Sequence, residues 1–181
     1  MDLRMVKTRA QIKNAFLTLR EKMMPEKIKV KDICDVAMIN KTTFYNHYSD
    51  TFELSNEIDE LAVEKVVSDF SERDKLLEDP KAFAIGLIRV LERDSAELRR
   101  IFRGKQDVLC VKLEEKLHSL CGKTETIDDD IRLAFFMGGS IRVVCDFIFS
   151  DIKCDKEQLT VAVTKMMEAL ASLKKNTAQS V

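Results

Sequence analysis

The chain has 181 residues, which suits one domain or a small module joined to a larger one. Only 2 prolines and 5 glycines are present, which disfavours a turn-rich β architecture and favours long helices. The net charge of -1 excludes a polycation. The charge balance is nevertheless +4 over residues 1–50 and -5 over residues 51–181, which favours a polyanion bound at the N-terminal end only; a chance imbalance of charge is the alternative.

Cysteine usage and hydropathy point to one compartment. The 5 cysteines (Cys34, Cys110, Cys121, Cys145 and Cys154) include no C-x-x-C pair, which is typical of reduced thiols in a cytoplasm. A thiol-based redox sensor is the alternative to simple packing of these side chains. No apolar run approaches the ~18 residues that cross a bilayer, and the N-terminus has no apolar core of signal-peptide type. We therefore expect a soluble, cytoplasmic protein without a membrane partner.

The first predicted helix covers residues 5–23. Its apolar residues recur at steps of three and four, which is the period of an amphipathic helix. The outer face is expected to carry Lys7, Arg9, Lys13 and Arg20. Pro25 then ends the helix, because the residue before a proline is pushed out of the α region.

Residues 30–48 predict two short helices separated by a break. Ile33 and Ala37 lie on the inner side of the first helix. The sequence Met38-Ile39-Asn40 interrupts it, and Asn40 is a good N-cap for a second helix. Phe44 and Tyr48 are four residues apart and point inward together. The outward side chains are then Lys41, Thr42, Thr43, Tyr45, Asn46 and His47. This is the layout of a helix-turn-helix recognition helix.

Further helices are predicted in the remainder of the chain. One runs from Ser49 or Asp50 to about Phe70, and others follow Pro80 and cover 96–102 and 106–121. Six apolar residues in the middle helices are candidates for lining a ligand pocket, or else for filling a dry core: Phe83, Leu87, Leu91, Phe102, Leu109 and Leu113.

The last two predicted helices, 128–150 and 155–174, carry heptad-like apolar stripes. Two such helices form an antiparallel hairpin that can pair with its copy as a four-helix bundle. An ordinary internal core is the alternative interpretation. The residues predicted for a dimer interface are Met137, Ile141, Val144, Ile148, Leu159, Val163, Met166 and Leu170.

Patterns of catalysis and of metal binding are missing from the sequence. It contains no nucleophile elbow, phosphate loop or paired-carboxylate motif. His47 has no Asp, Cys or second His at metal-ligand spacing. The acids Asp128, Asp129 and Asp130 open a helix, where the helix dipole explains them. We expect neither an enzyme, nor a metal site, nor a cofactor.

With these residues identified, the chain resembles the TetR/AcrR family of bacterial transcriptional regulators, most strongly over residues 7–54. The segments KTRAQIKNAFLTLREK, IKVKDICDVA and NKTTFYNHYSDTFEL resemble the first helix, the second helix, and the recognition helix with its entry into the fourth. The specific pattern is T-x-Y-x-H-Y, formed by Thr43, Tyr45, His47 and Tyr48. The resemblance implies an all-α homodimer of about nine helices. It would have a helix-turn-helix domain over 1–50 and a helical regulatory and dimerisation domain over 51–181.

The resemblance also implies roles for individual side chains. Lys41, Thr42, Thr43 and Asn46 are candidates for reading bases in the major groove, since they carry the required donors, acceptors and methyl groups. Tyr45 and His47 match family positions that reach phosphate oxygens. Further candidate phosphate contacts are Lys7, Thr8, Lys29 and Lys31.

Three residues depart from the family pattern. Met38 stands where the family usually has glycine, Lys29 where a Thr or Ser commonly caps the second helix, and Thr51 where a Lys commonly opens the fourth.

The sequence therefore predicts a sequence-specific DNA-binding regulator, a repressor released from its double-stranded operator by an unidentified small-molecule effector. A helical homodimeric interaction protein or co-regulator that has kept the fold and lost operator binding is the alternative. Met38 and Thr51 motivate that alternative.

Overall fold

The computed structural model describes residues 3–121, 124 and 126–177, without the side chains of residues 170, 171 and 173–177. Within these residues the chain forms nine α-helices, one short 3-10 turn and no strand, which confirms the predicted all-α class. None of the described helices is long and apolar enough to span a membrane. The helices are α1 Leu3–Arg20, α2 Val30–Ala37, α3 Lys41–Tyr45, α4 Thr51–Ser68, α5 Pro80–Arg93, α6 Ser95–Phe102, α7 Gln106–His118, α8 Ile127–Ile148 and α9 Lys156–Thr177.

Polar side chains fix several helix starts. The Asp79 carboxylate accepts from the Ala82 N–H at 2.9 Å, and Pro80 occupies the first turn of α5. Asp50 accepts from the N–H groups of Phe52 and Glu53 at the start of α4, both at 2.8 Å. The helix from Gln106 ends at His118, three residues earlier than predicted.

The chain divides into two compact units, here called unit 1 (residues 1–62 and 97–105) and unit 2 (residues 63–96 and 106–181). Most of α6 therefore belongs to the same unit as the helix-turn-helix. The functional division at residue 50 that the sequence suggested remains a prediction.

The core of unit 1 is formed by buried side chains between residues 12 and 58: Ile12, Ala15, Phe16, Ile28, Ile33, Ala37, Phe44, Tyr48, Leu54 and Ile58. Leu19 is only partly buried. The placement of Arg20 on the outer face was wrong, because its side chain is only 1% exposed.

In unit 2, α5 packs against α8 and α9, and α7 packs against α8. The side chains predicted to line a ligand pocket are completely buried: Phe83, Leu87, Leu91, Leu109 and Leu113 of unit 2, and Phe102 of unit 1. Full burial is common to a packed core and to the wall of an enclosed pocket, so the pocket assignment stays a prediction.

Candidate DNA-binding surface

The break between α2 and α3 has a residue in the left-handed conformation, although that residue is Met38 and not glycine. Met38 adopts the left-handed region, with φ 52° and ψ 46°, and its side chain is 89% exposed. The N–H of the next residue, Ile39, donates to the Cys34 carbonyl at 3.0 Å and closes the end of α2. The left-handed residue thus turns the chain sharply from α2 into α3 at some cost in backbone strain.

The start of α3 is fixed by the predicted cap. The Asn40 side chain accepts from the Thr43 N–H at 2.7 Å, which satisfies one of the free donors of the first turn. At the other end, the N–H groups of His47 and Tyr48 both donate to the Phe44 carbonyl. The regular helix is therefore only five residues long, and a hydrogen-bonded turn continues it to Tyr48.

Two aromatic side chains in and after α3 are buried in the core of unit 1. Phe44 and Tyr48 are 0% and 2% exposed, with ring centroids 5.9 Å apart. Because both rings are anchored in the core, the remaining side chains of the segment face outward. Lys41, Thr42, Tyr45 and Asn46 are exposed, whereas Thr43 and His47 are partly buried. The six side chains predicted for the recognition helix thus lie together on one short segment.

The four additional candidates for phosphate contacts lie on α1 and at the start of α2. Lys7, Lys29 and Lys31 are exposed, while the partly buried Thr8 donates its hydroxyl to the Arg4 carbonyl at 3.0 Å. Lys29 stands where a capping hydroxyl is common and makes no side-chain cap hydrogen bond, whereas Asp32 satisfies the N–H of Lys29 itself. Its carboxylate accepts from the Lys29 N–H at 3.0 Å.

A cluster that we call the clamp joins α1, the end of α3 and α4. It consists of Arg9, Tyr48 and Glu57, with Lys13 at its edge. Arg9 Nη2 lies 2.8 Å from Glu57 Oε2, Arg9 Nε donates to the Tyr48 hydroxyl at 3.1 Å, and Lys13 Nζ lies 3.4 Å from Glu57 Oε1. The Arg9 guanidinium also lies over the Tyr48 ring, 5.1 Å from its centroid.

The clamp perturbs the ionisation of its members. Burial, together with hydrogen bonding to Glu57, raises the pKa of the Tyr48 hydroxyl. Burial opposes ionisation of Glu57, but the hydrogen bonds from Arg9 and Tyr48 outweigh it and lower the pKa of that carboxyl. Glu57 is therefore an anion that holds α4 to the recognition segment. Sequence reasoning missed it because Arg9 and Glu57 are 48 residues apart and no periodicity links them.

A second polar cluster ties the end of α6 into unit 1. The buried Arg20 guanidinium donates to the carbonyls of Ile101 at 3.2 Å and Arg103 at 2.5 Å. Lys105 Nζ lies 2.6 Å from both carboxylate oxygens of Asp59, which is only 4% exposed. Gly104, with φ +75°, makes the turn between these contacts, as expected for a helix stop.

The apolar stripe predicted for dimerisation lies mostly inside the chain. Six of its members are no more than 6% exposed within a single chain: Met137, Ile141, Val144, Ile148, Leu159 and Val163. These six form the internal core that was the alternative interpretation. Met166 is 64% exposed, and the Leu170 side chain lies outside the described residues.

Helices α8 and α9 also carry exposed apolar side chains. Ile131, Phe135, Val161 and Met166 are between 51% and 65% exposed. Between the two helices lies an apolar groove of about 120 Å³, bordered by Phe135, Val143 and Met166 among others. A Cβ added to Gly139 in this groove would meet nothing within 4 Å, so another chain can approach closely there.

Within the described residues, no group of three or more His, Cys, Asp or Glu side chains is arranged to hold a metal ion.

Solved structures of other proteins resemble the chain over nearly its whole length. The chain is similar to the fatty acid degradation regulator FadR from Bacillus halodurans, with 16% identity and a TM-score of 0.52 over 90% of this chain and 94% of that one. It is also similar to GusR from Salmonella enterica, with 13% identity and a TM-score of 0.50 over 92% and 96% of the two chains. The TetR-family repressor AlkX from Dietzia sp. strain DQ12-45-1b matches at 18% identity over 91% and 96%, but its TM-score of 0.36 is too low to establish a shared overall fold.

No protein-family model matches the chain, and no curated protein matches it significantly by sequence. The likeness to FadR and GusR spans nearly the whole of each chain at low identity, so it establishes the architecture. The protein shares the all-α, TetR-like fold of these two structures.

Proposed function

We propose that the protein is a sequence-specific DNA-binding transcriptional regulator that acts in the cytoplasm as a repressor. The proposal rests on the way in which α3 is held and on the side chains that it exposes. Its cap at Asn40 and its buried rings at Phe44 and Tyr48 leave a short row of exposed polar side chains. A small helix held this way matches the recognition helix of a helix-turn-helix, which enters the major groove.

Two kinds of DNA contact follow from the chemistry of these side chains. Lys41 can donate to guanine edges, Asn46 can pair with adenine, and the threonines offer a hydroxyl and a methyl group. Tyr45 and His47 are proposed to contact phosphate, as are Lys7, Thr8, Lys29 and Lys31. The excess of positive charge in residues 1–50 supports the proposed phosphate contacts.

The proposed functional form is a homodimer. Two recognition helices about 34 Å apart would read successive major grooves of a pseudo-palindromic operator. The exposed apolar face of α8 and α9, with Phe135 and Met166 around its groove, is the surface that we propose for pairing. Burying it against a second copy would remove apolar side chains from water.

Release from the operator is proposed to depend on a small-molecule effector bound by the regulatory region, residues 51–181. The effector must prefer one arrangement of the recognition helices, because a ligand shifts only an equilibrium between states that it binds unequally. The clamp and the short Ser49-Asp50 joint tie α4 to the recognition segment. A displacement of α4 would therefore be transmitted to α3.

The test begins with selection of fragments bound by the full chain from the source genome, followed by gel shifts at two salt concentrations. Specific binding should weaken steeply with salt, and Lys41→Ala should lower the affinity and relax the preference at the base that Lys41 reads. Lys153→Ala is the matched control, because Lys153 is exposed in the turn between α8 and α9. It should bind like the wild type.

The opposite result would be a folded dimer that shifts no genomic fragment at low salt. That outcome would overturn operator binding and would leave the interaction protein or co-regulator as the function. Loss of binding in Lys153→Ala as well as in Lys41→Ala would show that the effect is one of overall charge and not of α3.

A further inference from the structure

Asn40 immediately precedes α3, and its exposed side chain is fixed in place by a hydrogen bond. Its side-chain oxygen accepts from the Thr43 N–H at 2.7 Å. A backbone N–H can only donate, so the atom that faces it must be the amide oxygen and not the amide nitrogen. The hydrogen bond therefore determines both the position of the side chain and the orientation of its amide group.

The amide nitrogen of Asn40 is the branch that does not face the backbone of α3. It carries two N–H donors, and it donates to no other atom of the described residues. Because the oxygen is directed at the Thr43 N–H, the NH2 group is the end of the side chain that is available to another molecule. Asn40 thus presents donors at the beginning of the recognition segment.

The residue next to Asn40 presents the same kind of group. Lys41 is exposed, its ammonium group can only donate, and it forms no ion pair with the described residues. The first turn of α3 contains no acidic residue that would compete for these donors. A molecule that approaches this end of the segment therefore meets hydrogen-bond donors and a positive charge.

We propose that Asn40 is a further specificity-determining residue, whose NH2 group donates to a base edge in the major groove and selects guanine over cytosine there. This inference rests on the proposed function, since it requires that α3 enters the groove. The first residues of a recognition helix are the ones that contact base edges. Guanine presents two acceptors in the major groove, O6 and N7, whereas cytosine presents an N4 donor. The NH2 group of Asn40 bonds to the first base and is left facing a donor on the second.

The fixed side chain makes the discrimination sharper than an unrestrained asparagine would. An exposed asparagine without a partner can turn either end of its amide toward a base. In Asn40 the flipped amide would set its nitrogen against the Thr43 N–H, so the cap hydrogen bond excludes that orientation. The NH2 group is already ordered before DNA binds, so less conformational entropy is lost on contact.

Two substitutions of Asn40 separate its capping role from base reading. Asn40→Asp keeps an oxygen for the cap, as Asp50 and Asp79 already do at α4 and α5, but it replaces the donor by a second acceptor. Asn40→Ala removes the cap and the donor together. We expect the urea midpoint of unfolding to fall in Asn40→Ala and to be no lower in Asn40→Asp than in the wild type. An unchanged midpoint in Asn40→Ala would show that the cap does not hold the side chain.

Base reading is measured on the operator selected by the wild type, with each base pair of one half-site replaced in turn and the affinities compared by competition gel shift. We expect one base pair at which the wild type favours guanine over cytosine by about two- to tenfold, the effect of one hydrogen bond. Asn40→Asp should abolish or reverse this preference and leave the preferences at the other pairs unchanged. Asn14→Asp is the matched control, because Asn14 is exposed on α1 and the substitution adds the same charge to unit 1. It should leave the preference at every pair unchanged.

The contrary results for Asn40 differ from a failure of operator binding. If Asn40→Asp lowered the affinity for all operator variants by the same factor, Asn40 would act as a cap and through charge alone. A wild-type preference for cytosine at the pair that Asn40→Asp alters would show that the amide presents its oxygen. In both cases the wild type still binds its operator, so only the role of Asn40 is overturned. A folded wild type that shifts no genomic fragment would overturn the proposed function, and the role of Asn40 with it.

Discussion

Met38 occupies a backbone position that favours glycine. Its φ of 52° lies in the left-handed region, where a Cβ costs ~1–2 kcal/mol. The side chain is 89% exposed, so it has little packing to lose. The position therefore isolates backbone strain from side-chain contacts, at the residue that turns the chain into the recognition helix.

We expect Met38→Gly to raise the free energy of unfolding by about 0.5–1 kcal/mol. The relief of strain exceeds the extra entropy that glycine gives the unfolded chain. Urea unfolding followed by circular dichroism would measure the difference. Met38→Ala is the matched control, since it removes the side chain but keeps the Cβ, and it should leave the stability unchanged within error. A gain in Met38→Ala equal to that in Met38→Gly would refute the strain argument.

Among the helices, α4 is held to α1 by Glu57. Its carboxylate lies 2.8 Å from Arg9 Nη2 and 3.4 Å from Lys13 Nζ, and its side chain is 24% exposed. We expect Glu57→Gln to lower the free energy of unfolding at pH 7 by about 0.5–1 kcal/mol, the range for partly exposed ion pairs. Glu64→Gln on the same helix is the control, because its pair with Lys116 is exposed on both sides and should contribute almost nothing.

The contribution of Glu57 to the free energy of unfolding should depend on pH. The pKa of Glu57 is lowered in the folded state from its ordinary value of 4.5, so the unfolded chain binds the proton more readily. The stabilisation is then complete above pH 4.5 and is lost as the pH falls through the lower, folded-state pKa. The stability difference between wild type and Glu57→Gln should shrink in acid. A difference that stayed constant from pH 7 to pH 3 would exclude an ionic origin.

The end of α6 depends on Arg20 in a way that lysine cannot reproduce. The guanidinium bonds three carbonyls, those of Met23, Ile101 and Arg103. A lysine lacks the planar fork, so Arg20→Lys leaves buried carbonyls unsatisfied at ~1–3 kcal/mol. We expect a loss of that size in the free energy of unfolding. Arg100→Lys is the control, because Arg100 forms an exposed 3.5 Å pair with Glu21, and its free energy of unfolding should change within error.

Local patterns in the sequence predicted what local forces determine. The Asn40 cap and the inward rings of Phe44 and Tyr48 follow from spacing within one helical turn, and all three were confirmed. The prediction that Arg20 lies on the outer face was wrong, because an isolated charge on a helix is typical of a surface position. Its partners are carbonyls 81 and 83 residues away, which the spacing of side chains does not reveal.

At the scale of the whole molecule, periodicity identified apolar stripes but not which surface each stripe faces. Ile141 and Leu159 were assigned to a dimer interface, and both are buried within one chain. A heptad spacing records that a helix has an apolar face, whether its neighbour belongs to the same chain or to a copy. The exposure that remains in a single chain distinguishes an internal helix contact from a dimer contact. On that criterion, the proposed pairing surface includes Phe135 and Met166.

This surface allows a direct test of assembly. Phe135 is 65% exposed on α8. In a two-fold dimer each substitution occurs twice, so a charge there would be buried at two places in one interface. We expect Phe135→Glu to weaken the dimer by at least about tenfold, measured by sedimentation at several concentrations. Operator affinity would fall with it, because a monomer presents a single recognition helix.

The matched control for Phe135→Glu is Val111→Glu. Val111 is 52% exposed on α7, so the substitution adds the same charge to another exposed apolar position. It should leave the dimer unchanged. If both variants remained dimeric with unaltered dissociation constants, the exposed face of α8 and α9 would not be the pairing surface. If both dissociated, the effect would be one of general destabilisation, which unfolding curves of the two variants would reveal.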